Sequence, residues 1–142
     1  MPGPRAAPVL QYGRTANTNI LSRRIPLELI NLGFSGSGKG EPETAEVISS
    51  IPNPALLVLD YDANVETVEK MDATLPEWIR IFRSRHKTAP ILVVSRIPPA
   101  GINCDDEHKR ITEGKREVQI EWVRRLRAAG DERIHFLDGM TF

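Results

Sequence analysis

"INLGFSGSGKGEPE", residues 30–43, decides between two kinds of α/β protein. Its apolar start reads as the end of a strand, and four glycines follow within residues 33–40. Gly33 to Lys39 spells Gly-x-x-x-x-Gly-Lys, the spacing of a phosphate-cradling loop whose backbone N–H groups and lysine hold a nucleotide. Such a loop needs Ser or Thr after the lysine to reach magnesium. Here that residue is Gly40, and Glu41 and Glu43 add negative charge that repels a triphosphate.

The neighbouring segments give the stretch its context. "PVLQY" (8–12), "LELINLG" (27–33), "ALLVLDY" (55–61), "PILVVS" (90–95) and "RIHFLDG" (133–139) read as five strands. The third and fourth are apolar on both faces, as central parallel strands should be. Helical patterns lie between them. Pro42 suits the first turn of a helix over 42–50. Val68, Met71, Leu75, Trp78, Ile79 and Phe82 make one apolar face within 65–85, where Pro76 is expected to kink or restart the helix. Ile111, Val118, Trp122, Leu126 and Ala129 do the same over 107–129, and Gly130 supplies the stop. Strands alternating with helices imply a parallel sheet with helices on both faces and a site at the strands' carboxyl ends.

Bulk composition narrows the function. A chain of 142 residues is the size of one domain, with residues 1–7 reading as a Pro/Gly-rich tail and 8–142 as a single domain. Nineteen basic residues balance nineteen acidic ones, so no net field draws the chain to nucleic acid or membrane. The single cysteine, Cys104, excludes a disulfide framework and a multi-cysteine metal site. With no signal peptide or membrane span in the pattern, a cytoplasmic location is the expectation.

"Ile-Asn-Leu-Gly-Phe-Ser-Gly" followed by "Glu-Pro-Glu" resembles the second sequence block of the SGNH (GDSL-like) hydrolases. "Val-Leu-Asp-Tyr-Asp-Ala-Asn" (58–64) resembles the third block, and 85–94 and 133–139 resemble the fourth and fifth strands of one branch. The resemblance runs over residues 8–139 in the right order. It implies a three-layer α/β/α, flavodoxin-like fold with about five parallel strands and an activity on acyl esters. It calls for no cofactor and no metal, and for a small-molecule ester as partner. In that family a serine after the first strand attacks the acyl carbon. A glycine N–H and an asparagine side chain hold the oxyanion, and a C-terminal Asp-x-x-His activates the serine. Each oxyanion donor is worth about 3 kcal/mol.

Carried over, the resemblance assigns Gly36 and Asn64 to the oxyanion hole. Thr15 falls where the serine belongs, and its extra methyl restricts the rotamer. The stretch after Gly13 is short for the family, so the helix after the nucleophile is expected to be cut down or missing. No Asp-x-x-His follows the fifth strand. His86, His108 and His135 read as a helix-end, a solvated helix-start and a strand residue. The expectation is a hydrolase fold truncated at its C-terminus and inactive or severely impaired. Apolar surface left by a missing terminal helix would favour self-association. A binding or scaffolding module on the same fold is the alternative, and a nucleotide site at Gly33–Lys39 the more distant one. Ser35 and Ser37 approach the Gly-x-Ser-x-Gly elbow without matching it. Asn64 has a plainer reading as a turn residue bonding its own backbone. Asp60 and Arg96 could line the cleft or pair with each other.

Overall fold

The computed structural model describes residues 17–32, 38–97 and 105–141. The chain divides into two compact units, residues 1–35 and 36–142. In the first, a six-residue helix α1 (Asn17–Ser22) is closed by the Arg24 and Ile25 N–H groups on the Leu21 carbonyl. Residues 27–32, expected as a strand, join no sheet, and Leu27, Ile30 and Leu32 are exposed. An apolar run becomes a strand only when a neighbour completes its ladder, and none of the described strands does so here. The strand expected at 8–12, together with Thr15, Gly36 and Cys104, lies outside the described residues.

The second unit runs α2 (Pro42–Ser49), β1 (Leu57–Leu59), α3 (Val68–Arg85), β2 (Ile91–Val94), α4 (Asp106–Ala128) and β3 (Ile134–Leu137). The three described strands form a parallel sheet in the order β1-β2-β3. Its register sets Leu57 beside Ile91 and Ile91 beside Ile134. Successive right-handed crossovers in one direction place α3 and α4 on the same face. There Met71, Leu75, Trp78, Ile79 and Phe82 of α3 share one core with Leu57, Leu59, Ile91, Val93 and Ile134 of the sheet. The other face differs from the expectation of strands buried on both sides. Val58 is 50% exposed, His135 is exposed and Leu92 and Val94 are half-buried, because the described helices of this unit cover one face only.

Local sequence explains the element ends. Thr67 caps α3 by accepting from the Lys70 N–H at 3.2 Å. Asp105 caps α4 by accepting from the His108 backbone N–H at 2.8 Å. Pro76 does not break α3, which is continuous through it. A proline inside a helix costs about 3 kcal/mol; the fully buried Leu75, Ile79 and Phe82 on either side hold the helix together through packing. At the end of α4, Gly130 takes φ +102°, the Asp131 N–H bonds the Leu126 carbonyl, and the Gly130 N–H bonds that of Arg127. That is the six-to-one and five-to-two pair of a glycine-terminated helix.

The buried line of α4 is not its apolar one. Thr112, Lys115, Gln119 and Val123 face inward, while Ile111, Val118, Trp122 and Leu126 are half-buried and Ala129 is exposed. The helix is rotated because its polar line docks on a polar turn after β1.

Candidate functional site

The carboxyl edge of the sheet gathers most of the buried polar chemistry. β1 runs out through Asp60 and Tyr61 into a single 3-10 turn, Asp62–Asn64. The Asn64 N–H bonds the Tyr61 carbonyl at 3.0 Å, and the Val65 N–H bonds that of Asp62 at 3.2 Å. The Asn64 side chain does not fold back on its own turn. Its Nδ2 donates across 26 positions of sequence to the Gly38 carbonyl at 3.4 Å. The asparagine and the glycine-rich turn therefore meet at one edge of the sheet.

Lys39 is committed elsewhere. Its Nζ lies 2.6 Å from Glu66 Oε1, and its backbone N–H donates to Glu41 Oε2 at 2.8 Å. The Glu66 contact raises the lysine pKa and lowers that of Glu66. Gly40 is buried at φ +87°, against Thr74 and Tyr61. The Thr74 hydroxyl donates to the Lys70 carbonyl at 2.8 Å, so the Tyr61 hydroxyl, 3.2 Å away, donates to Thr74. Burial, with the Asp62 charge adding to it, pushes the Tyr61 phenol up to about 12. Partial desolvation and the same charge raise the Asp60 carboxyl. Asp60 and Arg96 form no ion pair with each other.

Asp62 is fully buried. Lys115 Nζ lies 2.7 Å from Asp62 Oδ1 and donates to the Asp62 and Val65 carbonyls at 2.7 and 2.9 Å. Two of these contacts are hydrogen bonds to backbone carbonyls; the third is a charge contact, and Asp62 Oδ1 accepts no hydrogen bond. Asp62 Oδ2 accepts from Gln119 Nε2 at 3.0 Å and from the Arg96 N–H at 3.1 Å. Sequence reading passed over Lys115 and Gln119. Their signal is a polar line at 112, 115 and 119 inside an amphipathic helix, spaced to face one side.

Beyond β2 and β3, Arg116 grips Asp138 through both carboxylate oxygens. Asp138 also accepts from the Met140 N–H at 3.1 Å and from the Ser95 hydroxyl at 3.4 Å. The Gly139 N–H donates to Ser95 Oγ at 2.9 Å, closing β3 onto β2. Arg116 is the main reason the Asp138 carboxyl falls to about 2. A carboxylate with a depressed folded-state pKa stabilises the fold above its unfolded pKa and loses that contribution as pH falls. Here the window runs from about 3.8 down to about 2. A fall in Tm across that window is expected in the parent, and the fall is expected to be smaller in Asp138→Asn. Thermal melts at stepped pH check it.

The three histidines take separate places. His86 Nε2 donates to the Ser49 carbonyl at 2.8 Å, and its ring lies 4.8 Å from that of Phe82, tying α3 to α2. His135 is exposed, on the sheet face that the described helices of its unit do not cover. His108 is exposed, with Nε2 3.3 Å from Arg96 Nη1. The spacing Asp-x-x-His does occur at Asp105–His108, before β3. There the carboxylate caps the helix by holding the backbone N–H of His108. Among the described residues no group of three or more His, Cys, Asp or Glu is placed to hold a metal ion. No described helix is long and apolar enough to cross a membrane.

A parallel α/β sheet with an asparagine and a glycine-rich turn at its carboxyl edge defines the class, that of an α/β protein with its polar groups at the strand ends. The family model of the GDSL-like lipase/acylhydrolases matches residues 12–142, and the chain belongs to that family. No curated protein sequence matches it. The chain is similar to several solved structures, among them these two. One is a protein from Bacteroides ovatus ATCC 8483 assigned as a GDSL-like lipase, with 26% identity and a TM-score of 0.79. The other is the salicylyl-acyltransferase SsfX3 from a tetracycline biosynthetic pathway, with 26% identity and a TM-score of 0.78. The matches cover 88% and 87% of this chain and 36% of each of the others, so the chain spans about a third of their length.

Proposed function

We propose that this chain carries the oxyanion side of an acyl-transfer site, with Asn64 and Gly36 as donors, and that its 142 residues alone turn over esters poorly or not at all. The observation that carries the reading is the Asn64 side chain reaching Gly38, two residues beyond Gly36, at the carboxyl edge. Donors aimed at a developing oxyanion act only when a nucleophile delivers charge to them. Thr15 stands at the nucleophile position, and a threonine hydroxyl attacks effectively only when a base takes its proton. The substrate class is an acyl ester, with water or an alcohol as acceptor; one similar structure is that of an acyltransferase.

The test is hydrolysis of an activated acetyl ester by the purified protein. Turnover indistinguishable from buffer is the expected result. Clear turnover that disappears in Thr15→Ala would overturn the impaired reading and establish Thr15 as a nucleophile. A binding or scaffolding role on the same fold is the second reading, favoured by that same threonine. Saturable binding of an ester without its hydrolysis would support it.

A further inference from the structure

We propose that Lys115 is the positioning residue of Asn64, an inference that rests on reading Asn64 as an oxyanion donor. One ammonium holds the carbonyls of Asp62 and Val65, which flank Asn64 in the 3-10 turn, and the Asp62 carboxylate as well. Lys115 is 2% exposed and lies on α4, an element that contributes no donor to the oxyanion site. Gln119 and the Arg96 N–H both donate to the other carboxylate oxygen, Asp62 Oδ2. A buried lysine that donates to two carbonyls of one turn, with its charge 2.7 Å from the Asp62 carboxylate, fixes that turn's backbone. The direction of the Asn64 amide follows from that backbone. A charge pair serving stability alone would need the carboxylate contact and not the two carbonyl contacts.

The experiment separates positioning from stability by an internal reference. Native-state hydrogen exchange is followed at the Asn64 and Val65 backbone amides, which bond within the turn, and at the Ile91 amide, which bonds the Arg133 carbonyl beside the sheet. In Lys115→Met, exchange at Asn64 and Val65 is expected to accelerate at least about tenfold more than at Ile91. The Asn64 side-chain NH2 signals are expected to move toward random-coil positions. Asp62→Asn combined with Lys115→Met removes both charges and recovers stability. It leaves the two carbonyls unheld, so Asn64 and Val65 should stay fast. The double variant also decides the matter if the single one does not fold. Gln119→Leu keeps both carbonyl bonds and should leave the Asn64-to-Ile91 ratio unchanged. The proposal is overturned if Asn64 and Val65 change only in step with Ile91, or if the double variant restores them. A titration of the parent with methylphosphonate, a tetrahedral oxyanion mimic, tests the underlying reading separately. Unmoved Asn64 side-chain signals at millimolar ligand count against the oxyanion role and leave the exchange result intact.

Discussion

Asp62→Ala is expected to lower the stability of the protein by about 3–5 kcal/mol, read as the urea midpoint from tryptophan fluorescence. Asp62 is 0% exposed and Lys115 2% exposed. Removing the carboxylate leaves a buried ammonium with two neutral carbonyls and no counter-charge. It also strips Gln119 Nε2 and the Arg96 N–H of their shared acceptor. An unpartnered buried donor adds about 1–3 kcal/mol of its own, so the upper part of the range is the realistic one. Asp62→Asn keeps the shape and one acceptor and should cost less. The ordering is the informative part. Breaking one partner of a buried pair is severe, whereas replacing both by apolar groups is often neutral. Asp62→Leu combined with Lys115→Met should therefore recover much of the loss. A loss below about 1 kcal/mol in Asp62→Ala would mean that the pair is not holding a buried charge.

The same pair marks the boundary of what sequence could deliver. β1, β2 and β3 were legible because short apolar runs bounded by turn residues have few other uses. α3 was legible because its spacings of three and four name the residues that became the core. α4 was legible as a helix but not in its facing, since periodicity ranks Trp122 and Leu126 above Lys115 and Gln119. A lysine is placed inside a protein only by a partner, and Asp62 lies 53 positions earlier. No local pattern couples the two. The sheet face that the described helices of the second unit leave uncovered was hidden for a related reason. An apolar residue such as Val58 signals a preference for burial, and what covers it is a matter of other segments. The resemblance singled out Asn64 as an oxyanion donor. Its partner Gly38 needed the structure, because a turn residue bonding itself and one bonding a distant loop read the same in sequence. The Lys39–Glu66 contact likewise joins residues no motif connects.

Gly40→Ser tests the glycine-rich turn from the opposite direction. Serine at this position would complete the sequence pattern of a phosphate loop, whose hydroxyl reaches magnesium. If the turn were a phosphate cradle, the substitution should improve binding of magnesium–ATP. The geometry predicts damage instead. Gly40 sits at φ +87°, and a Cβ there would lie 2.7 Å from Thr74 Cβ and Oγ1 and 2.9 Å from Tyr61 Cε2. Left-handed backbone costs a residue with a Cβ about 1–2 kcal/mol, and overpacking adds about 1–3. The expected loss is therefore about 2–5 kcal/mol, seen as a lower urea midpoint, with no calorimetric binding of millimolar magnesium–ATP in parent or variant. The absence of binding has its own cause, because Lys39 is held by Glu66 and would have to exchange that carboxylate for phosphate beside Glu41. Disruption should also spread along the turn. Thr74 and Tyr61 are hydrogen-bonded to each other, and Tyr61 leads directly into the Asp62–Asn64 turn. A serine that strained position 40 would thus disturb Asn64 as well, and the Asn64 side-chain amide should report it. A stable Gly40→Ser variant that gained nucleotide affinity would return the turn to the phosphate-loop reading.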